Sequence, residues 1–171
     1  DPEPVPKPSF PTPVRDGLPM LRSYAGFERD GTIVPAGYVE ATRGCHHTCT
    51  HCPITPVYGG RLVVVPRDRV IDDIAQQVAL GARHITFSDP DFFNGPAHSL
   101  RILREMRERW PELTFDATIK IEHILEHRNR LPELADLGCQ FIVSAVESLN
   151  DEALRRMRKG HDAQAVAEAI H

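Results

Sequence analysis

From Gly37 to the end of the chain, apolar positions alternate between two periods. Tyr38 to Thr42 reads as a strand. Behind Pro66, Val70, Ile71, Ile74, Val78 and Leu80 fall at helical spacing, and Gly81 stops the pattern. His84 to Ser88 is a second strand, broken at Asp89-Pro90-Asp91. The next helix sets Leu100, Leu103, Met106 and Trp110 against a polar face of Arg101, Arg104 and Glu108. Leu113 to Ile119 is a third strand, and helical spacing returns around Ile124 and from Pro132 to Leu137 before Gly138. Gln140 to Val146 is a fourth strand, so apolar that both of its faces are expected to be covered. Asn150 then caps a helix through Leu154 and Met157, Gly160 breaks it, and Asp162 caps the last helix.

Four strands, each followed by a helix, require a parallel sheet with helical crossovers, a parallel β/α repeat of the α/β class. Residues 1–36 do not fit this rhythm. Pro2, Pro4, Pro6, Pro8, Pro11, Pro13 and Pro19 crowd its first half, and proline at that density disfavours helix and ladder alike. A flexible proline-rich leader over 1–36 and a single domain over 37–171 are the expected organisation.

The 171 residues suffice for one core; 41% hydrophobic and 26% charged residues are ordinary for a globular protein. A net charge of −4 offers no basic field for nucleic acid or a membrane surface. No apolar run approaches a membrane span and no signal peptide is visible. Three of the four cysteines lie within eight residues, which argues against a disulfide framework and for metal or redox chemistry in a reducing, cytoplasmic setting.

In parallel β/α folds the chemistry gathers at the carboxyl ends of the strands. Those ends carry Cys45, Cys49 and Cys52 after the first strand, Asp89 and Asp91 after the second, Lys120 and Glu122 after the third, and Glu147 and Ser148 after the fourth. The cysteines follow a C-x3-C-x2-C spacing, one thiolate short of a closed tetrahedral site. A zinc ion could recruit His46, His47 or His51 as fourth ligand. A [4Fe-4S] cluster would leave one iron open to an outside ligand. Cys139, alone in apolar company, reads as a core residue, His46 and His47 as loop residues, and His171 carries no signal.

This cysteine spacing at the first strand end resembles that of the radical S-adenosylmethionine enzymes. In them three cysteines hold a [4Fe-4S] cluster whose fourth iron takes the methionyl amine and carboxylate of S-adenosylmethionine. Phe87-Ser88-Asp89-Pro90-Asp91-Phe92 is similar to the amine-binding segment, in a variant seen in the cobalamin-associated and methylthiotransferase-like branches. Ala145-Val146-Glu147-Ser148 resembles the fourth-strand G-V-E-S. Lys159 resembles a basic residue that pairs with the cofactor carboxylate, and Lys120 stands where a third-strand polar contact falls. His51 replaces the usual aromatic residue beside the adenine, Ala145 a common glycine and Pro90 a flexible residue.

The resemblance implies a partial, incomplete TIM-type barrel, metal ligands Cys45, Cys49 and Cys52, and cofactor contacts at His51, Asp89, Asp91, Lys120, Glu147, Ser148 and Lys159. It implies reductive cleavage of S-adenosylmethionine to a 5′-deoxyadenosyl radical that abstracts hydrogen from an unnamed substrate. It also implies a flavodoxin- or ferredoxin-like electron donor. Since the family's core has six β/α units and this chain four, a fragment of a longer enzyme is expected. A zinc-binding Cys/His module and an inactive remnant serving as an interaction surface are the alternatives.

Overall fold

The computed structural model describes residues 9–170. Its first strands, β1 (Gly26–Arg29) and β2 (Thr32–Val39), form an antiparallel hairpin. Asp30 and Gly31 both take positive φ (52° and 75°) in the turn, the two-residue connection whose twist suits paired strands. A two-stranded ribbon follows, β3 (Thr42–Gly44) with β4 (Leu62–Val64), separated by the short helix α1 (Ile54–Tyr58). Then come α2 (Arg67–Ala79), β5 (His84–Phe87), α3 (Pro96–Arg109) and β6 (Thr114–Thr118). Last are α4 (Ile121–Glu126), α5 (Leu131–Asp136), β7 (Cys139–Val143), α6 (Asp151–Met157) and α7 (Ala163–Ile170).

The main sheet has the order β1-β2-β5-β6-β7, parallel throughout except for β1. Its convex face buries Val39, Ile85, Phe87, Phe115 and Ala117 with Ile71 and Ile74 of α2 and Leu100, Leu103 and Met106 of α3. Its concave face carries a polar row: His84 lies 2.7 Å from Thr114 Oγ1 and 2.8 Å from Asp116 Oδ1, and Thr86 Oγ1 donates to that same oxygen at 2.7 Å. The curl is measurable. Strands β1 and β7 are four spacings apart, about 19 Å in a flat sheet, yet the rings of Phe27 and Phe141 approach to 5.7 Å, beside His84. The architecture is a half-barrel with helices on its outer face.

Three expectations need correction. Of the leader over 1–36, residues 1–8 (with Pro2, Pro4, Pro6 and Pro8) lie outside the described residues, but the remainder is built into the fold. Phe10 packs against the core, Arg15 pairs with Asp73 at 2.6 Å, and β1 with most of β2 lies before residue 37. The first strand ends at Val39, not Thr42, because Ala41 N–H and Thr42 Oγ1 turn to the Asp89 carboxylate. The fourth strand is an edge strand ending at Val143. With a neighbour on one side only among the described residues, Phe141 and Val143 stay 43% and 48% exposed.

Edge protection is visible at the other side of the parallel strands. Beyond the β1 pairing, the Tyr38 backbone N–H donates to Gln77 Oε1, and its carbonyl accepts from Gln77 Nε2 and Arg15 Nη2. Those side chains stand where a neighbouring strand would pair.

Candidate functional site

The loop from Cys45 to Cys52 is an excursion between β3 and β4, so their pairing closes its base. Gly44, at φ 83°, allows the close approach to Tyr58 and Arg61 on the returning side. The far side of the loop docks on the end of α6. Thr50 N donates to Met157 O at 3.0 Å, Thr50 Oγ1 to Arg156 O at 3.1 Å, and Cys49 Sγ to Arg158 O at 3.5 Å. Asn94 Oδ1 accepts from His46 N at 3.1 Å and from Cys45 Sγ at 3.7 Å.

Cys45, Cys49 and Cys52 line one cavity of about 130 Å³, together with His47, His51, Lys120, Glu147 and Lys159. No disulfide joins them. Among the described residues, the set whose ligand atoms crowd within 4.8 Å of one another is Cys45, His47 and Asp91, not the three thiols. The thiols therefore surround a space wider than one ion needs, which fits a polynuclear cluster with sulfur ligands. Burial pushes the Cys45 thiol up, so a bound metal's positive charge is needed to hold it as thiolate.

The opposite wall carries a charged trio. Glu147 Oε1 lies 3.2 Å from His51 Nε2 and 3.4 Å from Lys159 Nζ. Burial alone would raise the Glu147 carboxyl, but His51 and Lys159 outweigh it and hold the group below its usual value. Glu147 sits at φ 62°, a left-handed conformation that is strained for a residue with a Cβ. Lys159 is only 4% exposed, an unusual degree of burial for an ammonium group with one loosely held partner.

The structure thus gathers Cys45, Cys49, Cys52, His51, Lys120, Glu147 and Lys159 around one cavity, and leaves Asp89, Asp91 and Ser148 off its wall. Both Asp89 oxygens are occupied, accepting from Ala41 N at 3.0 Å and Thr42 Oγ1 at 2.5 Å. Ser148 Oγ accepts from Asn150 N in the turn before α6. Asp91 is fully buried, where its Oδ1 accepts from Phe93 N and Lys120 N. Pro90, between the two aspartates, does reach the wall.

Sequence reasoning gave His47 only as a loop residue or an optional zinc ligand, without Asp91 as its neighbour, and missed His123. His47 lines the cavity with Nε2 3.7 Å from Asp91 Oδ2, and His123 Nδ1 lies 2.7 Å from that same oxygen. Their partners come from separate elements, so no local pattern announced them. Cys139 packs against the core, its thiol pushed up to about 11 by burial and by Asp116, which keeps it protonated.

Comparison with known proteins gives a consistent outcome. The Radical SAM superfamily profile matches residues 39–171. The chain is 29% identical over 143 residues to a tRNA-2-methylthio-N(6)-dimethylallyladenosine synthase of Desulfosudis oleivorans, covering 79% of this chain and 30% of that protein. It is 30% identical over 142 residues to a bacteriochlorophyllide d C-12(1)-methyltransferase of Chlorobaculum tepidum, covering 77% and 29%. Among solved structures it resembles the radical S-adenosylmethionine methyltransferase TsrM of Kitasatospora setae, whose structure holds cobalamin and a [4Fe-4S] cluster. The TM-score is 0.62 at 20% identity, over 80% of this chain and 26% of that one. The chain spans less than a third of the length of these relatives.

Proposed function

Because the chain belongs to the radical SAM superfamily, we propose that it supplies the cluster- and cofactor-binding part of an enzyme that cleaves S-adenosylmethionine reductively. The relatives, methylthiotransferases and methyltransferases alike, favour a group-transfer reaction in the whole protein. The observation that carries the reading is the cavity itself: three thiols too far apart for a single ion, facing a buried, under-paired cation.

In this reading Cys45, Cys49 and Cys52 hold the [4Fe-4S] cluster. The chemistry such a cluster supplies is one-electron reduction of the cofactor's sulfonium, releasing methionine and the 5′-deoxyadenosyl radical that abstracts hydrogen from substrate. Lys159 holds the methionyl carboxylate, a charge-assisted contact that repairs its own sparse pairing. Glu147, kept ionised by His51 and Lys159, accepts from the cofactor's hydroxyl or amine groups. His51 offers an imidazole face to the adenine, and the Pro90 backbone borders the methionyl end. Asp89 and Asp91 act from behind, by fixing the two segments that flank the cavity. Electrons come from a flavodoxin- or ferredoxin-like protein.

Anaerobic reconstitution tests the reading. The chain should take up about four irons and as many sulfides, and release 5′-deoxyadenosine on reduction, alone or beside the full-length protein. Cys49→Ala should lose the iron. Lys159→Met should keep the iron and the apo-protein's stability, since it removes a poorly paired buried charge, while weakening S-adenosylmethionine binding about tenfold or more. Failure to take up iron on anaerobic reconstitution, or full iron uptake by Cys49→Ala, would overturn it. Iron uptake without cofactor cleavage in either form of the protein would mark an inactive remnant.

A further inference from the structure

Behind the thiol cavity, three buried atoms from three segments have no hydrogen-bond partner among the described residues: Asp91 Oδ2, His47 Nε2 and His123 Nδ1. Asp91 is 0% exposed, and its Oδ1 is fixed by Phe93 N and Lys120 N, so Oδ2 is aimed at the two imidazoles. His123 Nδ1 approaches it to 2.7 Å without hydrogen-bond alignment, and His47 Nε2 to 3.7 Å. His47 Nε2 has no hydrogen-bond partner and Asp91 Oδ2 keeps a lone pair beyond its contact with His123, so these two call for a shared ligand.

The donor set identifies its class. Cys45 Sγ, His47 and Asp91 place one sulfur, one nitrogen and one oxygen atom within 4.8 Å of one another, the spacing of ligands around a single ion. The far side of the His47 ring supports this: Nδ1 lies 3.7 Å from Glu122 Oε2, which Lys120 Nζ holds at 3.1 Å. A carboxylate behind the ring orients an imidazole for ligation through its other nitrogen.

We propose that the cluster-free chain binds one borderline divalent cation of the zinc class through Cys45, His47 and Asp91, with solvent as fourth ligand and His123 holding Asp91 from outside the ligand set. Magnesium and calcium are excluded by the sulfur and the imidazoles, since they take oxygen ligands. Binding forms the metal–sulfur bond and releases the Cys45 thiol proton to solvent. Cys45 is common to this site and to the thiol triad, so the ion and the cluster exclude one another. This last step rests on the cluster assignment above; the ion site itself does not. The ion would hold Cys45 and His47 in place until cluster assembly displaces it.

Cobalt(II) is the probe, titrated anaerobically into the cluster-free chain. One equivalent should bind, with a sulfur-to-cobalt charge-transfer band from one thiolate and the intense visible bands of a four-coordinate ion. Cys45→Ala should abolish the charge-transfer band. His47→Ala should weaken binding about tenfold or more, while Cys49→Ala and Cys52→Ala should leave it unchanged. Asp91→Asn risks the fold, because Asp91 caps the turn before α3. His47 is a partly exposed side chain, so His47→Ala, checked by circular dichroism, carries the test. The reconstituted chain should take no cobalt at this site, and His47→Ala should still accept about four irons.

Cobalt binding unaffected by His47→Ala, or lost in both Cys49→Ala and Cys52→Ala, would show that the ion sits on the thiol triad and overturn the proposal. No binding at all would mean that the cluster is an imidazolium–carboxylate pair only. Failure of iron uptake would instead overturn the reading under which the thiols hold a cluster, and is read separately.

Discussion

Asp89 is 1% exposed and holds the turn between β2 and β3 by accepting two hydrogen bonds, at 3.0 Å from Ala41 N and 2.5 Å from Thr42 Oγ1. Burial nevertheless dominates its protonation, and its carboxyl is raised from 3.8 to about 6. The folded value lies above the unfolded one, so the stability this group confers is complete below about pH 4 and is lost as pH rises through about 6. Asn at this position keeps an oxygen for Ala41 N–H, turns its amide toward Thr42, and does not titrate. In urea melts, the stability of Asp89→Asn relative to the parent should therefore rise between about pH 4 and pH 7.5, by on the order of 3 kcal/mol. Parallel pH profiles for the two proteins would show that Asp89 titrates normally. The same residue shows that an acidic strand end can serve the fold: each of its oxygens accepts a hydrogen bond from the turn it closes.

At the scale of elements, the cysteine loop is only as firm as the ribbon beneath it. Gly44 pairs with Leu62 at φ 83°, and a Cβ there would run into Arg61 O and the Tyr58 ring. Gly59 also has positive φ, yet a Cβ on it meets nothing within 4 Å. Gly44→Ala should then cost about 1–3 kcal/mol and unseat the loop, lowering iron uptake on reconstitution. Gly59→Ala should cost about 1 kcal/mol and leave uptake intact. Equal iron contents in the two variants would mean that the ribbon does not support the loop. This ribbon was not legible in the sequence, because strands of three residues are too short to show a period. The β/α repeats were legible because α2 and α3 each put a long apolar stripe on the sheet and the strands between the helices are short apolar runs. The β1–β2 hairpin was signalled by Asp30-Gly31 but obscured by the prolines before it. Of the site, the thiols and Lys159 could be read from spacing and resemblance. The shared point of Asp91, His47 and His123 could not, since only the fold brings those three segments together.

For the molecule as a whole, the half-barrel has two unlike rims. On the β2 side, Gln77 and Arg15 occupy the backbone groups that β1 leaves free. On the β7 side, among the described residues, no strand or side chain does so, and Val143 stays half-exposed at the end of the row. An unpaired strand edge with apolar side chains is a template for a second strand, and a lysine on it is a common deterrent. The chain should self-associate with rising concentration in sedimentation velocity. Val143→Lys should shift the equilibrium toward monomer without lowering the melting temperature, because Val143 contributes little buried area. Two outcomes would count against this edge: a parent that stays monomeric throughout, or a variant that associates equally well. The site and the edge are linked by geometry, for β7 runs from that open rim straight into the Ala145–Glu147 wall of the cavity. A partner strand paired along β7 would stiffen the segment that carries the strained Glu147. Cofactor binding and pairing at the edge should accordingly reinforce one another, with any gain in monomer from Val143→Lys accompanied by weaker S-adenosylmethionine binding.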